Sequence, residues 1–179
     1  MESLTEARQF LKENWENGCE CPVCKQFVKK YHRPITSAMA YVLILIYQYF
    51  KEHNKEECLH IEEFLKKKQN VSPAVRGDFP KLRFWNLIEG RKERRKDGSN
   101  RNGYWSITSQ GIDFVENRTK VFRSISLYNN HFFGFNGDKI SIQEALKDRF
   151  NYKELMKTYS YDLSDNYNIS DTDQQLELF

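Results

Sequence analysis

LRFWNLIEGRKERRKDGSNRNGYWSITSQGIDFV, residues Leu82 to Val115, is the stretch whose reading decides the fold. Its flanks, Phe84-Trp85-Asn86-Leu87-Ile88 and Tyr104-Trp105-Ser106-Ile107-Thr108, have the aromatic and β-branched content of strands. Between Glu89 and Gly103 lie six cations, Arg91, Lys92, Arg94, Arg95, Lys96 and Arg101, against only Glu93 and Asp97. Asp97-Gly98 and Asn102-Gly103 supply residues that tolerate positive φ, which a hairpin connection requires. The stretch therefore predicts a β-hairpin with a long basic tip.

Upstream, the signals are helical. Thr36 is placed to cap a helix running through Tyr41, Leu45 and Gln48 toward Lys51. The apolar run inside it, Ala38 to Phe50, is 13 residues long and holds Tyr41, Tyr47, Gln48 and Tyr49, too short and too polar to cross a bilayer, so it reads as a buried helix. Ile61 to Lys68 gives a second, shorter helix with Ile61, Phe64 and Leu65 on one face. Ser72-Pro73 offers an N-cap and a proline at the first helical position, opening a third helical stretch through Leu82 to Trp85. Pro80 should break or reset that helix near Phe79.

Downstream, Gly111 to Arg118 reads as a short helix and Val121 to Tyr128 alternates like a strand. His131 to Phe135, then Asn136-Gly137-Asp138, then Lys139 to Ile142 reads as another hairpin. Gln143 to Phe150 and Tyr152 to Met156 look helical, and His131 reads as a packed or surface histidine rather than a catalyst.

Three helical segments followed by a hairpin with a basic tip is the order of a winged helix-turn-helix domain, and the Leu82–Val115 stretch resembles the end of the recognition helix, strand, wing, strand and following helix of that family. The Trp105-Ser106-Ile107-Thr108-x-x-Gly111 close resembles the way bacterial winged helices leave the wing. The resemblance covers roughly Thr36 to Asn117 and implies duplex binding. Wing cations Arg91, Lys92, Arg94, Arg95, Lys96 and Arg101 would lie along phosphates, and Arg76, Lys81 and Arg83 of the third helical segment would face the groove.

Charge agrees with that expectation. Lys and Arg number 28 against 25 Asp and Glu, yet Asp162, Asp165, Asp171, Asp173 and Glu177 all fall from Thr158 onward, where no Lys or Arg occurs. The tail thus carries −5 and the body +8, which points to a polyanionic partner.

Residues 158–174, TYSYDLSDNYNISDTDQ, show no sustained apolar period and predict a disordered tether with a root-mean-square reach of about 20–25 Å. The tether leads to Gln175-Leu176-Glu177-Leu178-Phe179, which resembles the QLxLF motif by which clients bind the bacterial sliding clamp. That resemblance implies that Gln175 hydrogen-bonds at the rim of the clamp's pocket, Leu176 lies along it, and Leu178 and Phe179 fill its apolar floor. A tail end that folds back onto the body is the other reading.

Cys19-x-Cys21-Pro22-x-Cys24 resembles one half of a zinc knuckle, whose tight turn lets two thiolates reach one tetrahedral ion. Cys19, His32, Cys58 and His60 are candidates for the remaining ligands, so the metal set reads as Cys19, Cys21, Cys24 and Cys58 with zinc; the same residues also read as thiols that hold no metal. A redox CxxC would want a thioredoxin-like βαβ context, which is missing.

With 179 residues, one core plus a tail is expected. The expected fold class is α+β: an N-terminal helix and Cys knuckle over 1–35, a winged-helix domain with an α/β extension over 36–157, and a disordered acidic tail over 158–179. No nucleophile elbow, phosphate loop or HExxH occurs, so a non-enzymatic role without a small-molecule substrate is expected. Four cysteines and no leader-like segment suggest a cytoplasmic setting without membrane association. The functional expectation is a bacterial or phage protein that binds duplex DNA and docks on the sliding clamp during replication or repair. A transcriptional regulator, or a phage-type protein that occupies the clamp and inhibits host replication, are the alternatives.

Overall fold

The structure is a computed structural model that describes residues 3–53, 59–68, 71, 73–90 and 103–157. It is an α+β chain that divides into two compact units. One unit is built from the chain up to Ile35 together with Lys120–Ile140; the other is built from Thr36–Thr119 and from Ser141 onward. No described helix is long and apolar enough to cross a membrane.

The first unit begins with α1, Leu4–Asn14, whose start is fixed by a capping box: the Ser3 hydroxyl accepts from the Glu6 amide while the Glu6 carboxylate accepts from the Ser3 amide. Two short strands, β1 (Cys19–Glu20) and β2 (Phe27–Val28), then pair antiparallel around the cysteine-bearing turn. A three-stranded antiparallel sheet completes the unit, with β3 (Tyr31–Pro34) and β8 (His131–Ile140) on either side of β7 (Val121–Tyr128). Trp15, just past α1, packs edge-on against Phe133 with ring centroids 4.9 Å apart and also meets Tyr128.

The β7–β8 hairpin departs from the sequence expectation. Its turn is Asn129-Asn130, both in the left-handed region at φ 46° and 61°, the backbone a two-residue hairpin needs to match strand twist. Asn136-Gly137-Asp138 does not turn; it lies inside β8, where a register shift opposite Phe122/Ser124 absorbs one extra residue as a bulge. Gly137 at φ +74° marks that irregularity, so an Asn-Gly pair serves a bulge here instead of a turn.

In the second unit, α2 (Ser37–Glu52) starts where Thr36 Oγ1 accepts from the Met39 amide. Val42, Leu43, Ile44 and Ile46 are wholly buried, so α2 is apolar on nearly every face, and each of these side chains contributes about 1.5–3 kcal/mol of burial. β4 (Leu59–His60), α3 (Ile61–Lys66) and α4 (Pro73–Asp78) follow. The helical path continues as a 3₁₀ segment, Phe79–Trp85, so Pro80 resets the helix at the position expected. β5 (Ile88–Gly90) and β6 (Tyr104–Ile107) then pair antiparallel, and the sheet order is β4-β6-β5.

The strand expected at Phe84–Ile88 is thus displaced. Phe84 and Trp85 belong to the 3₁₀ turn, where Trp85 is buried, and Asn86 at φ 54° ends that turn before the chain extends. After β6 comes α5 (Ser109–Val115), then α6 (Ile142–Leu146), a 3₁₀ turn at Lys147–Arg149 and a helical segment over 152–157. Tyr47 donates to Glu116 at 2.6 Å, Tyr152 donates to the Val115 carbonyl at 3.0 Å, and Tyr41 stacks on Phe150 at 4.6 Å, tying α2 and the C-terminal helices of this unit to α5.

The Thr108-x-x-Gly111 pair has a structural job. Thr108 Oγ1 donates to the Asn86 carbonyl at 2.6 Å and accepts from the Gly111 amide at 2.9 Å, joining the end of the 3₁₀ segment to the start of α5. A Cβ at Gly111 would strike the Leu87 carbonyl oxygen and lie 2.8 Å from Ile107 Cγ1. Gly111→Ala is therefore expected to destabilise the fold by about 3 kcal/mol, measured as a lower urea midpoint. Gly77→Ala, which meets nothing within 4 Å, is the control and should stay within about 0.5 kcal/mol of the parent. Equal midpoints for the two variants would contradict this packing.

Candidate nucleic-acid interface

The geometry around the basic connection is set by its two ends. Ile88 faces Ile107, Glu89 faces Ser106 and Gly90 faces Trp105 across β5 and β6, with the Trp105 ring lying over Gly90. The chain leaves this ladder at Gly90 and returns at Gly103, and β4 flanks the returning strand through Leu59↔Trp105 and His60↔Tyr104. Gly103 takes φ +75° with the His60 ring against it, and His60 meets Tyr104 edge-on at 5.1 Å. Arg91, Lys92, Arg94, Arg95, Lys96 and Arg101 lie outside the described residues, as do Cys58 and Gln175, Leu176, Leu178 and Phe179.

The other three DNA candidates are placed on the helical path that leads into β5. Arg76 sits half-buried in α4, and Lys81 pairs with Asp78 three residues earlier, which withdraws part of its charge from any polyanion. Arg83 is exposed, its guanidinium 4.7 Å from the centroid of the Phe84 ring. Of the three, Arg83 is the exposed one, and Lys81 already has a carboxylate.

The cysteine turn is built as its sequence suggests. The Cys21 amide donates to the Gln26 carbonyl at 2.8 Å, the Lys25 amide to the Cys21 carbonyl at 2.9 Å, and Lys25 takes φ 61°. Amides of Cys24 and Val23 donate toward the Cys21 sulfur and, with Lys25 nearby, hold its thiol below the ordinary range despite burial. Cys24 is exposed, and Cys19 sits half-buried on β1 opposite Val28. This is a donor set that fits half of a zinc centre: two thiols on one tight turn, one with its thiolate favoured. No three His, Cys, Asp or Glu side chains gather at one point among the described residues.

Both histidines considered as ligands have other work. His60 Nδ1 accepts from the Glu63 amide at 3.4 Å, capping α3. His32 Nδ1 meets Ser126 Oγ at 3.1 Å, and its Nε2 lies 3.7 Å from Glu16. His131 is exposed, its Nδ1 2.9 Å from the Asn129 carbonyl oxygen. Comparison with known protein families, curated proteins and solved structures gives no match to this chain.

Proposed function

We propose that this chain is a winged helix-turn-helix protein that binds duplex DNA and carries a docking peptide for the bacterial sliding clamp. The observation that supports it most is the second unit's order, helix, strand, helix, helix, strand, basic connection, strand, with the returning strand β6 central in the sheet β4-β6-β5. In a winged helix the hairpin connection is the wing, and here that connection holds six cations. Cations spaced along a loop neutralise successive phosphates, and the released counterions drive association without reading sequence.

The test is a binding titration of duplexes of unrelated sequence. Arg94→Ala/Arg95→Ala should weaken all of them alike and lower the magnitude of the salt slope by about 0.9 for each phosphate that is no longer neutralised. A variant with unchanged affinity and slope would contradict a DNA-binding wing. The clamp part rests on Gln175, Leu176, Leu178 and Phe179, and its role would be to bring a duplex-binding module to DNA already threaded through the clamp.

The metal part of the proposal is zinc held by Cys21 and Cys24, and its role is to brace the β1–β2 turn. Protein prepared under reducing, chelator-free conditions should then contain near-stoichiometric zinc, and Cys21→Ser/Cys24→Ser should lose it. Metal-free parent protein from the same preparation would contradict the assignment.

A further inference from the structure

One face of the β3-β7-β8 sheet has a composition that the wing does not account for. Register places Tyr31, Leu127 and Phe132 in one row across the three strands, and Arg33, Ile125 and Phe135 in the next. Residues directly opposite share a face, so Tyr31 and Arg33 of β3 and Phe132 and Phe135 of β8 lie on the same side. Ring contacts add to this group: Phe132 meets Phe135 at 4.9 Å, and Phe122, which register alone pairs with Lys139 on the alternate side of β7, stacks on Phe135 at 5.0 Å with planes 15° apart.

These rings are not sealed in a core. Tyr31, Phe132 and Phe135 keep 46%, 42% and 45% of their surface exposed, whereas Ile125 and Leu127 between them on the central strand are buried. Cations accompany the rings. Arg33 lies 5.3 Å from the Tyr31 centroid and Lys139 5.3 Å from that of Phe122. Over residues 27–35 and 120–140 the sequence holds Lys29, Arg33, Lys120, Arg123 and Lys139 against a single acid in those segments, Asp138, while Lys30 is already paired with Glu16.

Exposed rings alone fit several occupants; exposed rings interleaved with one sign of charge fit fewer. A protein surface docking on phenylalanines would want matching apolar area and, to use these cations, an acidic rim around it. Unpaired bases have a π-face for each ring and a phosphate for each cation, and both features are satisfied together by an unstacked strand. A duplex hides its bases, so this chemistry differs from the wing's.

We propose that this face binds single-stranded nucleic acid, with Phe132 and Phe135 as the stacking platform, Tyr31 and Phe122 extending it, and Arg33 and Lys139 holding the backbone. The proposal stands on the first unit alone and does not depend on the wing. It places single-strand and duplex binding on different units of one chain.

The test uses the full chain and fluorescent oligothymidylate and oligouridylate probes of about 15 nucleotides. Phe132→Ala/Phe135→Ala should weaken binding by about 10- to 100-fold, and Phe135→Leu, which keeps apolar bulk but loses the ring, should weaken it by severalfold. Arg33→Gln/Lys139→Gln should lower the magnitude of the salt slope by about 0.7 for each phosphate released from a cation. Phe132→Ala/Phe135→Ala should leave duplex affinity within about twofold, which separates failure here from failure of the wing reading. Preference between the two probes then identifies DNA or RNA as the natural strand, and either result supports the platform. Oligonucleotide affinity indifferent to the phenylalanine changes would overturn the proposal. So would a dimer in sedimentation that dissociates in Phe132→Ala/Phe135→Ala, because a second copy would then be the occupant.

Discussion

Leu178→Ala/Phe179→Ala is expected to abolish co-elution with a bacterial sliding clamp while leaving the folded units intact. The size of the effect follows from where binding energy sits in a short docking peptide: aromatic and aliphatic anchors that fill an apolar pocket each account for about 2–4 kcal/mol when truncated. Truncating both weakens binding by roughly a thousandfold or more, which carries a micromolar complex out of detection. Gln175→Ala should cost less, about 1 kcal/mol, since a rim hydrogen bond exchanges with water. Unaltered thermal unfolding of the double variant, together with loss of the clamp complex, is the expected pair of results. Retained co-elution would remove the motif from the account.

Neutralising Asp162, Asp165, Asp171 and Asp173 to Asn, or deleting residues 158–179, is expected to raise affinity for duplex DNA. The physical basis is competition: five acids on one segment act as a local polyanion near a body of net +8. The gain should be severalfold at about 50 mM salt and shrink at about 200 mM, because screening shortens the reach of exposed charges to about 7–14 Å over that range. Clamp binding at residues 175–179 should act in the same direction, since a captured tail no longer competes. Linkage then requires duplex DNA to tighten clamp binding by the same factor. Equal duplex affinity for parent, neutralised and truncated chains at low salt would show that the tail does not compete.

Local signals are the legible part of the fold. Thr36 caps α2, Pro73 opens α4, Pro80 converts helix to 3₁₀ and Val121–Tyr128 forms a strand, because each depends on chemistry within a few residues. Asn136-Gly137 shows the limit of such signals. The pair tolerates positive φ equally in a turn and in a bulge, and only the pairing of β7 with β8 selects the bulge. Nonlocal pairing is not readable at all. Tyr31 of β3 lies opposite Leu127 of β7, far along the chain, and nothing in the YHRP segment specifies that partner.

The same division holds for the candidate site. Six cations in one connection are visible in the sequence without any structure, and so is the charge contrast between body and tail. The aromatic face is different. Phe122, Phe132 and Phe135 stand at irregular spacing, and two register shifts in the β7–β8 ladder are what bring their rings together. Alternation with period two assigns Phe132 and Phe135 to opposite faces. Lys81 carries the converse lesson: its charge looks available in sequence, but Asp78, three residues earlier, pairs with it and withdraws part of it.

The salt dependence of duplex binding by the intact chain tests the central reading most directly. Fluorescence anisotropy of a labelled duplex, titrated at several salt concentrations, gives log Kobs against log salt, and six wing cations each neutralising a phosphate predict a slope of about −5. A slope of that size, shared by duplexes of unrelated sequence and reduced in magnitude by Arg94→Ala/Arg95→Ala, is the predicted result. No measurable duplex binding at low salt, or a slope near zero, would contradict it.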